Sequence, residues 1–337
     1  MKSKFTYILV IVLAMSSCTK NLDDFGPQTD HENVVVPKTE RVIVVNEGNF
    51  MFGNGSVSVI NSLTADVAKQ VFKSKNGYPL GDVPQSLTIY DSLGFIVVNN
   101  SGKIEVVNQS DFSSVNTITG FTSPRYLEVV SQNPLTAWVT DLYANKIWIV
   151  NLETYQITGS ITSTGWSENL HVWNDHVLVL NKKDSVINVF DVNSQLKVKT
   201  IGTGMRIVDF KKWSSTQVLV LANSGTYILD LNTLNLSSQV LFVPERNPSK
   251  LAVDTILNLA YFLQKDVFRV SKSVDKVISS NKGTNFYGIC VNSISGELFV
   301  TNAKDYVQPG TVIKYNSTFS DSTIFEVGVN PQFLKLE

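Results

Sequence analysis

The feature that most constrains this chain is a short segment that returns at a nearly fixed interval. Gly81-Asp82-Val83-Pro84-Gln85-Ser86-Leu87 and Gly328-Val329-Asn330-Pro331-Gln332-Phe333-Leu334 share Gly-x-x-Pro-Gln-x-Leu, and Ser123-Pro124-Arg125-Tyr126-Leu127 is a related copy. Weaker copies begin near Glu168, Met205, Pro248 and Phe286, so the marks at 84, 124, 168, 205, 248, 286 and 331 lie 40, 44, 37, 43, 38 and 45 residues apart. The mean spacing, about 41, is that of four-stranded propeller blades.

Between the marks run short stretches of Val, Ile, Leu and aromatics that alternate with polar residues, as in Phe95-Ile96-Val97-Val98-Asn99 and Lys103-Ile104-Glu105-Val106-Val107-Asn108. Period-two runs of this length, closed by Asn, Asp, Ser and Gly, read as strands. Strands at this density, with no long amphipathic helix among them, require a sandwich, a barrel or radially repeated sheets. The repeat selects the last: an all-β, seven-bladed propeller over 41–337.

The final mark leaves room for a single strand, Phe333-Leu334-Lys335-Leu336. The front of the repeat has the complementary surplus, with strands expected at Val42 to Asn46, Ser56 to Ile60 and Ala65 to Phe72. Joining the two ends would complete one blade and cover edges that otherwise stay open.

Phe299-Val300-Thr301-Asn302 and Trp138-Val139-Thr140-Asp141 resemble the YVTN-type propeller repeat, and Val186-Ile187-Asn188-Val189-Phe190-Asp191 resembles the strand that follows it. That resemblance implies a fold and leaves chemistry to the loops.

The first 40 residues are of another kind. Lys2 and Lys4 precede an apolar run from Phe5 to Met15, with Ser16-Ser17 just before Cys18. The run is too short to span a bilayer and has the form of an export signal. Met15-Ser16-Ser17-Cys18 resembles a relaxed bacterial lipobox, which implies a signal peptide over 1–17 and lipid on Cys18. Residues 18–40 are polar and Pro/Gly-punctuated, the composition of a flexible tether, and His31 falls within it. The only membrane attachment expected is this lipid anchor.

Composition narrows the function. A formal charge of -1 supplies no field for nucleic acid, and two cysteines with three histidines preclude a disulfide framework and restrict metal sites. Gly-x-Ser-x-Gly, a Walker loop and a zinc-protease helix are all missing from the sequence, so no catalytic residue, cofactor or metal is assigned. Cys290 lies in an apolar strand and reads as a buried, inert thiol, while His171 and His176 read as structural or solvated.

The loops that open the inner strands, and those between second and third strands, share the propeller face that usually binds ligands. There the sequence places Asn49, Phe50, Phe52, Tyr78, Arg125, Tyr126, Tyr143, Trp166, Arg206, Tyr287, Asn330 and Gln332. Aromatic rings with amides and arginine suit a large neutral organic ligand or a protein surface. The competing reading is that these rings pack between blades. A scattered calcium or cofactor site of the propeller-lactonase kind would draw on Asp82, Glu168, Asn169 and Asn330.

The leader, the tether and the opening Val42-Ile43-Val44-Val45-Asn46-Glu47-Gly48-Asn49-Phe50 are together similar to the surface propeller lipoproteins of Bacteroidota. That group includes cobalamin-capturing partners of TonB-dependent outer-membrane transporters. The resemblance implies a surface-exposed outer-membrane lipoprotein that captures a cobamide without covalent chemistry and passes it to a transporter. A surface scaffold for protein or glycan partners, and a propeller hydrolase, are the alternatives.

Overall fold

The computed structural model describes residues 41–337. The signal peptide, the lipidation site Cys18, the tether and His31 lie outside the described residues. Among the described residues no helix is long and apolar enough to cross a membrane.

Seven four-stranded antiparallel sheets form the fold. Inner strands begin at Pro84, Pro124, Ser167, Ile207, Lys250, Phe286 and Pro331, each within two residues of a mark in the sequence. Blades one to six are consecutive stretches of chain. The seventh joins the two ends of the repeat in the order Pro331–Leu336, Arg41–Asn46, Ser56–Asn61, Val67–Ala68. Its seam pairs Val42 with Leu336 and Val45 with Phe333, and a register shift follows Val45.

Burial rises and falls across each blade for a geometric reason. Second strands are covered on both faces by neighbouring blades, so they read as continuous apolar runs instead of alternating ones. Val42 to Val45, Phe95 to Val98, Val177 to Leu180 and Val218 to Ala222 are all buried. Outer strands face water on one side, and Ser114–Thr119 and Lys197–Gly202 are mostly exposed. The core is accordingly a set of apolar clusters at the junctions between blades. The junction of blades six and seven uses Val42, Val44 and Ile60 against Phe299, Val312 and Phe325.

One expected strand is corrected. Ala65 to Phe72 contains only the two-residue strand Val67–Ala68, and a helix, Val71–Asn76, follows it. Phe72 is the reason: turned inward by the helix, it is 1% exposed and plugs the junction of blades seven and one beside Leu80 and Phe112. The helix is tied to blade one by Lys75 to Asp111 at 2.7 Å and by Asn76 Nδ2 donating to the Phe112 carbonyl at 2.9 Å.

Candidate functional site

Each inner strand starts at the same mouth of the axial channel and turns one of its first residues toward the axis. These residues are Gln85, Arg125, Glu168, Asp209, Lys250, Tyr287 and Gln332, joined by Glu47 from just after the second strand of the closing blade. Arg125 grips Glu168 with two bonds of 3.0 Å and reaches Gln85 Oε1 at 2.5 Å. Such a planar fork on a carboxylate fixes geometry as well as charge. Lys250 Nζ donates to Gln332 Oε1 at 2.9 Å, and Gln332 Nε2 donates to the Gln85 carbonyl. Asn169 donates to Asp209, which also accepts from the Phe210 backbone N–H at 2.8 Å. Tyr287 Oη donates to Glu47 Oε2 at 2.6 Å.

Burial dominates the electrostatics of this ring. It pushes the Glu47 carboxyl up, with the Tyr287 hydrogen bond pulling the other way. It also pushes the Tyr287 phenol up, reinforced by the neighbouring Glu47 charge. Burial and then Lys182 push the Lys250 ammonium down. Burial pulls the Arg125 guanidinium down, but Glu168, Tyr126 and Glu47 together carry it above its ordinary value. Opposite charges taken out of water together hold one another in place.

Above the ring stands the loop from 47 to 55, between the second and third strands of the closing blade. Its base is stitched by Glu47 N–H to the Asn330 carbonyl at 2.9 Å, and by Asn330 Nδ2 to the Gly48 carbonyl at 2.8 Å. Its middle is closed by Asn49 and Asn54, with Asn49 N–H to Asn54 Oδ1 at 2.7 Å. Asn49 Nδ2 also reaches the Tyr306 carbonyl at 2.9 Å, and Met51 N–H reaches Asp82 Oδ2 at 2.9 Å. Gly48 sits at φ 75°, and a Cβ there would collide with Asn54 Oδ1 and the Gly55 nitrogen, so only glycine closes this turn. The tip carries Phe50, Met51 and Phe52 at 65%, 77% and 78% exposure. Beside it, a groove of about 460 Å³ runs between blades five and six, lined by Asn247, Gln264, Asn285, Tyr287 and Tyr306.

The residues singled out from the sequence divide into groups. Phe50 and Phe52 stand free in solvent, and Tyr143 and Trp166 are exposed on loops of the same face. Arg206 is exposed there too and donates to Asn247. Arg125, Tyr287 and Gln332 belong to the axial ring. Tyr126 faces the channel, and burial pushes its phenol up. Asn49 and Asn330 are spent on holding the loop. Tyr78 lies apart, edge-on to Phe72 at 5.3 Å with its hydroxyl on Glu105.

The scattered acidic set is also separated. Glu168 is gripped by Arg125, Asp82 serves Met51 and Asn100, Asn169 serves Asp209, and Asn330 serves Gly48. His171 is partly buried, and its imidazole is pushed down by burial and then by Lys212 and Lys211. His176 stacks on Trp173 at 6.0 Å. Cys290 lines the axial channel instead of being sealed in the core, and burial pushes its thiol up.

Sequence reasoning missed Gln85, Asp209 and Lys250 as ring members. A signal was available: Gln85 and Gln332 hold the same place in the two strongest copies of the mark. The same offset gives Arg125 and Tyr287, and the weaker copies place Asp209 and Lys250 within a few residues of it.

Among solved structures, the chain is similar to a quinonprotein alcohol dehydrogenase-like protein from Bacteroides thetaiotaomicron, with TM-score 0.71 and 14% identity over 89% of this chain and 78% of that one. The dihydro-heme d1 dehydrogenase NirN in complex with DHE aligns with TM-score 0.61 and 8% identity, over 88% and 75% of the two chains. Kuenenia stuttgartiensis hydrazine synthase aligns with TM-score 0.52 and 13% identity, over 68% and 76%. At these identities the likeness is one of fold. No curated protein matches in sequence. The family model described as "Domain of unknown function (DUF5074)" matches residues 41–308, nearly the whole ring, and the chain belongs to that family.

Proposed function

We propose that this protein is a non-catalytic capture protein, anchored in the outer membrane by lipid on Cys18 and exposed at the cell surface. On this reading the mouth face of the propeller holds a large amphiphilic organic ligand, a cobamide first among candidates, and passes it to a TonB-dependent outer-membrane transporter. The observation that carries the reading is the tip Phe50-Met51-Phe52, three large apolar side chains exposed on a loop stitched at its base, middle and flank. Leaving such a side chain in water forgoes about 1.5–3 kcal/mol of burial. A loop already ordered loses little further entropy when a ligand covers it.

The groove beside the tip supplies amides and phenols for the polar rim of a ring-shaped ligand, and the sequence resemblance supplies the ligand class. Capture is favoured over hydrolysis because the axial carboxylates are engaged, Glu168 by Arg125 and Glu47 by Tyr287. Two exposed phenylalanines flanking a methionine also suit a protein partner, and this is the second reading.

Calorimetric titration of the full chain with cyanocobalamin tests the first reading. One-to-one saturable binding is expected, weakened at least about tenfold, or ~1.4 kcal/mol, by Phe50→Ala/Phe52→Ala. Absence of both heat and co-elution at high micromolar ligand overturns the cobamide assignment. Membrane fractionation of Cys18→Ala tests the anchor, and retention in the membrane after a high-salt wash overturns it.

A further inference from the structure

Beneath the mouth, a second space lies inside the ring. A cavity of about 330 Å³ is lined mainly by inner strands of blades four to seven and also by Tyr126 of blade two and Asn169 and Lys182 of blade three. Its volume is at the small end of ligand sites and would hold roughly ten waters, too little for a macrocycle and enough for a small organic molecule. Its polar lining is unbalanced. Lys182, Lys211, Lys212 and Lys250 border it, and Asp209 is the single carboxylate among the lining residues.

Lys182 and Lys211 have partial partners, at 3.7 Å from Glu168 and 3.8 Å from Asp209. Lys250 and Lys212 form no ion pair within 4.0 Å among the described residues; Lys250 donates to the neutral Gln332 amide, and Glu47, Asp209 and Glu168 act on its charge only from farther away. Glu168 is itself tied to Arg125, so it leaves little charge for Lys182. Farther along the channel Lys335 and Lys211 oppose Glu128, whose carboxyl is pushed up by desolvation. The His171 imidazole, pushed down by burial and by Lys212 and Lys211, senses the same positive field. One sign of charge on low-dielectric walls concentrates potential inside a cleft. Between these charges the wall mixes neutral polar groups, Asn169, Ser249 and Gln332, with apolar ones, of which Ile289, Val291 and Phe333 are partly exposed.

We infer that this axial cavity is a binding site for a small organic anion, a carboxylate or phosphate head on a short apolar body, with Lys250 meeting the head and Phe333 with Ile289 covering the body. The site is separate from the rim loop and does not depend on the cobamide reading.

Titration of the purified full chain with benzoate, phenyl phosphate, benzyl alcohol and inorganic phosphate tests it. At least one of benzoate and phenyl phosphate is expected to bind saturably and one-to-one, and which of them binds more tightly identifies the head group. Benzyl alcohol and inorganic phosphate should each bind at least about tenfold more weakly, because one lacks the charge and the other the body. Lys250→Gln should weaken the organic anion at least about tenfold, and Lys212→Gln, an exposed position safe for folding, at least about threefold. Phe50→Ala/Phe52→Ala should leave anion binding unchanged, which separates this site from the rim. Binding of neither anion, equal binding of benzyl alcohol or of inorganic phosphate, or indifference to both lysine substitutions would overturn the proposal.

Discussion

Blade four and blade seven have the same four-stranded plan and are built differently. Blade four is one stretch of chain from Ile207 to Leu241, and its second and third strands are joined by Asn223 and Ser224 alone. Blade seven joins two distant pieces of chain, replaces most of its outer strand with a helix, and opens the equivalent turn into the loop from 47 to 55. It also carries a buried ion pair, Arg41 to Glu337 at 3.2 Å, with the two side chains 7% and 4% exposed. Arg41 Nη2 donates to the Gln109 carbonyl of blade one at 3.2 Å as well. In a blade made from contiguous chain the short turns already keep the strands together. The blade that closes the ring adds polar latches to contacts of the same kind, and it also holds the exposed tip.

The comparison breaks most completely when the closing strand is removed. Deleting Pro331–Glu337 strips Leu334 from the six–seven junction, bares the edge at Val42 to Asn46 and removes Gln332 from the axial ring. The expected outcome is loss of the cooperative thermal transition. Leu219→Ala in blade four removes one fully buried side chain and should cost ~2–5 kcal/mol while keeping a single sharp melt. Circular dichroism melts of the two proteins decide the matter, and a truncated ring as stable as Leu219→Ala would contradict the closure described here.

A smaller effect isolates the latch. Arg41→Met leaves Glu337 buried without its partner, and breaking a buried pair from one side costs about 3–5 kcal/mol. Burial already pushes the Arg41 guanidinium down and the Glu337 charge pulls it back, so each charge depends on the other. Arg41→Met/Glu337→Leu should recover most of the loss, because apolar groups of similar volume carry no desolvation penalty. Urea melts of the single and double variants give both numbers. A double variant no better than the single would place the energy in the Gln109 contacts instead.

The fold was legible in the sequence because a blade is a local unit. Its second strand is apolar without interruption, its turn carries a mark, and seven marks at blade spacing leave one arrangement for the ends. The helix Val71–Asn76 was not legible, since Val67, Val71 and Phe72 suit a strand as well as a short helix and only the junction it plugs decides between them. The rim loop was legible at Phe50 and Phe52 because apolar residues between Asn and Gly have no periodicity to satisfy. The axial ring was half legible. Arg125, Tyr287 and Gln332 stand out by residue type, whereas Asp209 and Lys250 lie in strands whose marks have decayed, and only convergence on the axis gives them a common role.

The smallest predicted effect concerns the tie that fastens the helix of blade seven to blade one. Burial disfavours the charged form of Asp111, but hydrogen bonds from Lys75 and Ser113 outweigh it and bring its carboxyl down to about 2. An aspartate in an unfolded chain titrates near ~3.9. The folded value is the lower one, so the stabilisation is fully present above the unfolded value and disappears as pH falls through about 2. Asp111→Asn removes the charge and should destabilise the protein by less than ~1 kcal/mol near neutral pH, because both partners are about a third exposed and solvent screens them. Urea melts of the two proteins at pH 5 and pH 2 should therefore show a gap at the higher pH that narrows at the lower. A gap that stays constant would mean that the substitution acts only by weakening the turn contact to Ser113, and that Lys75 contributes nothing to holding the helix.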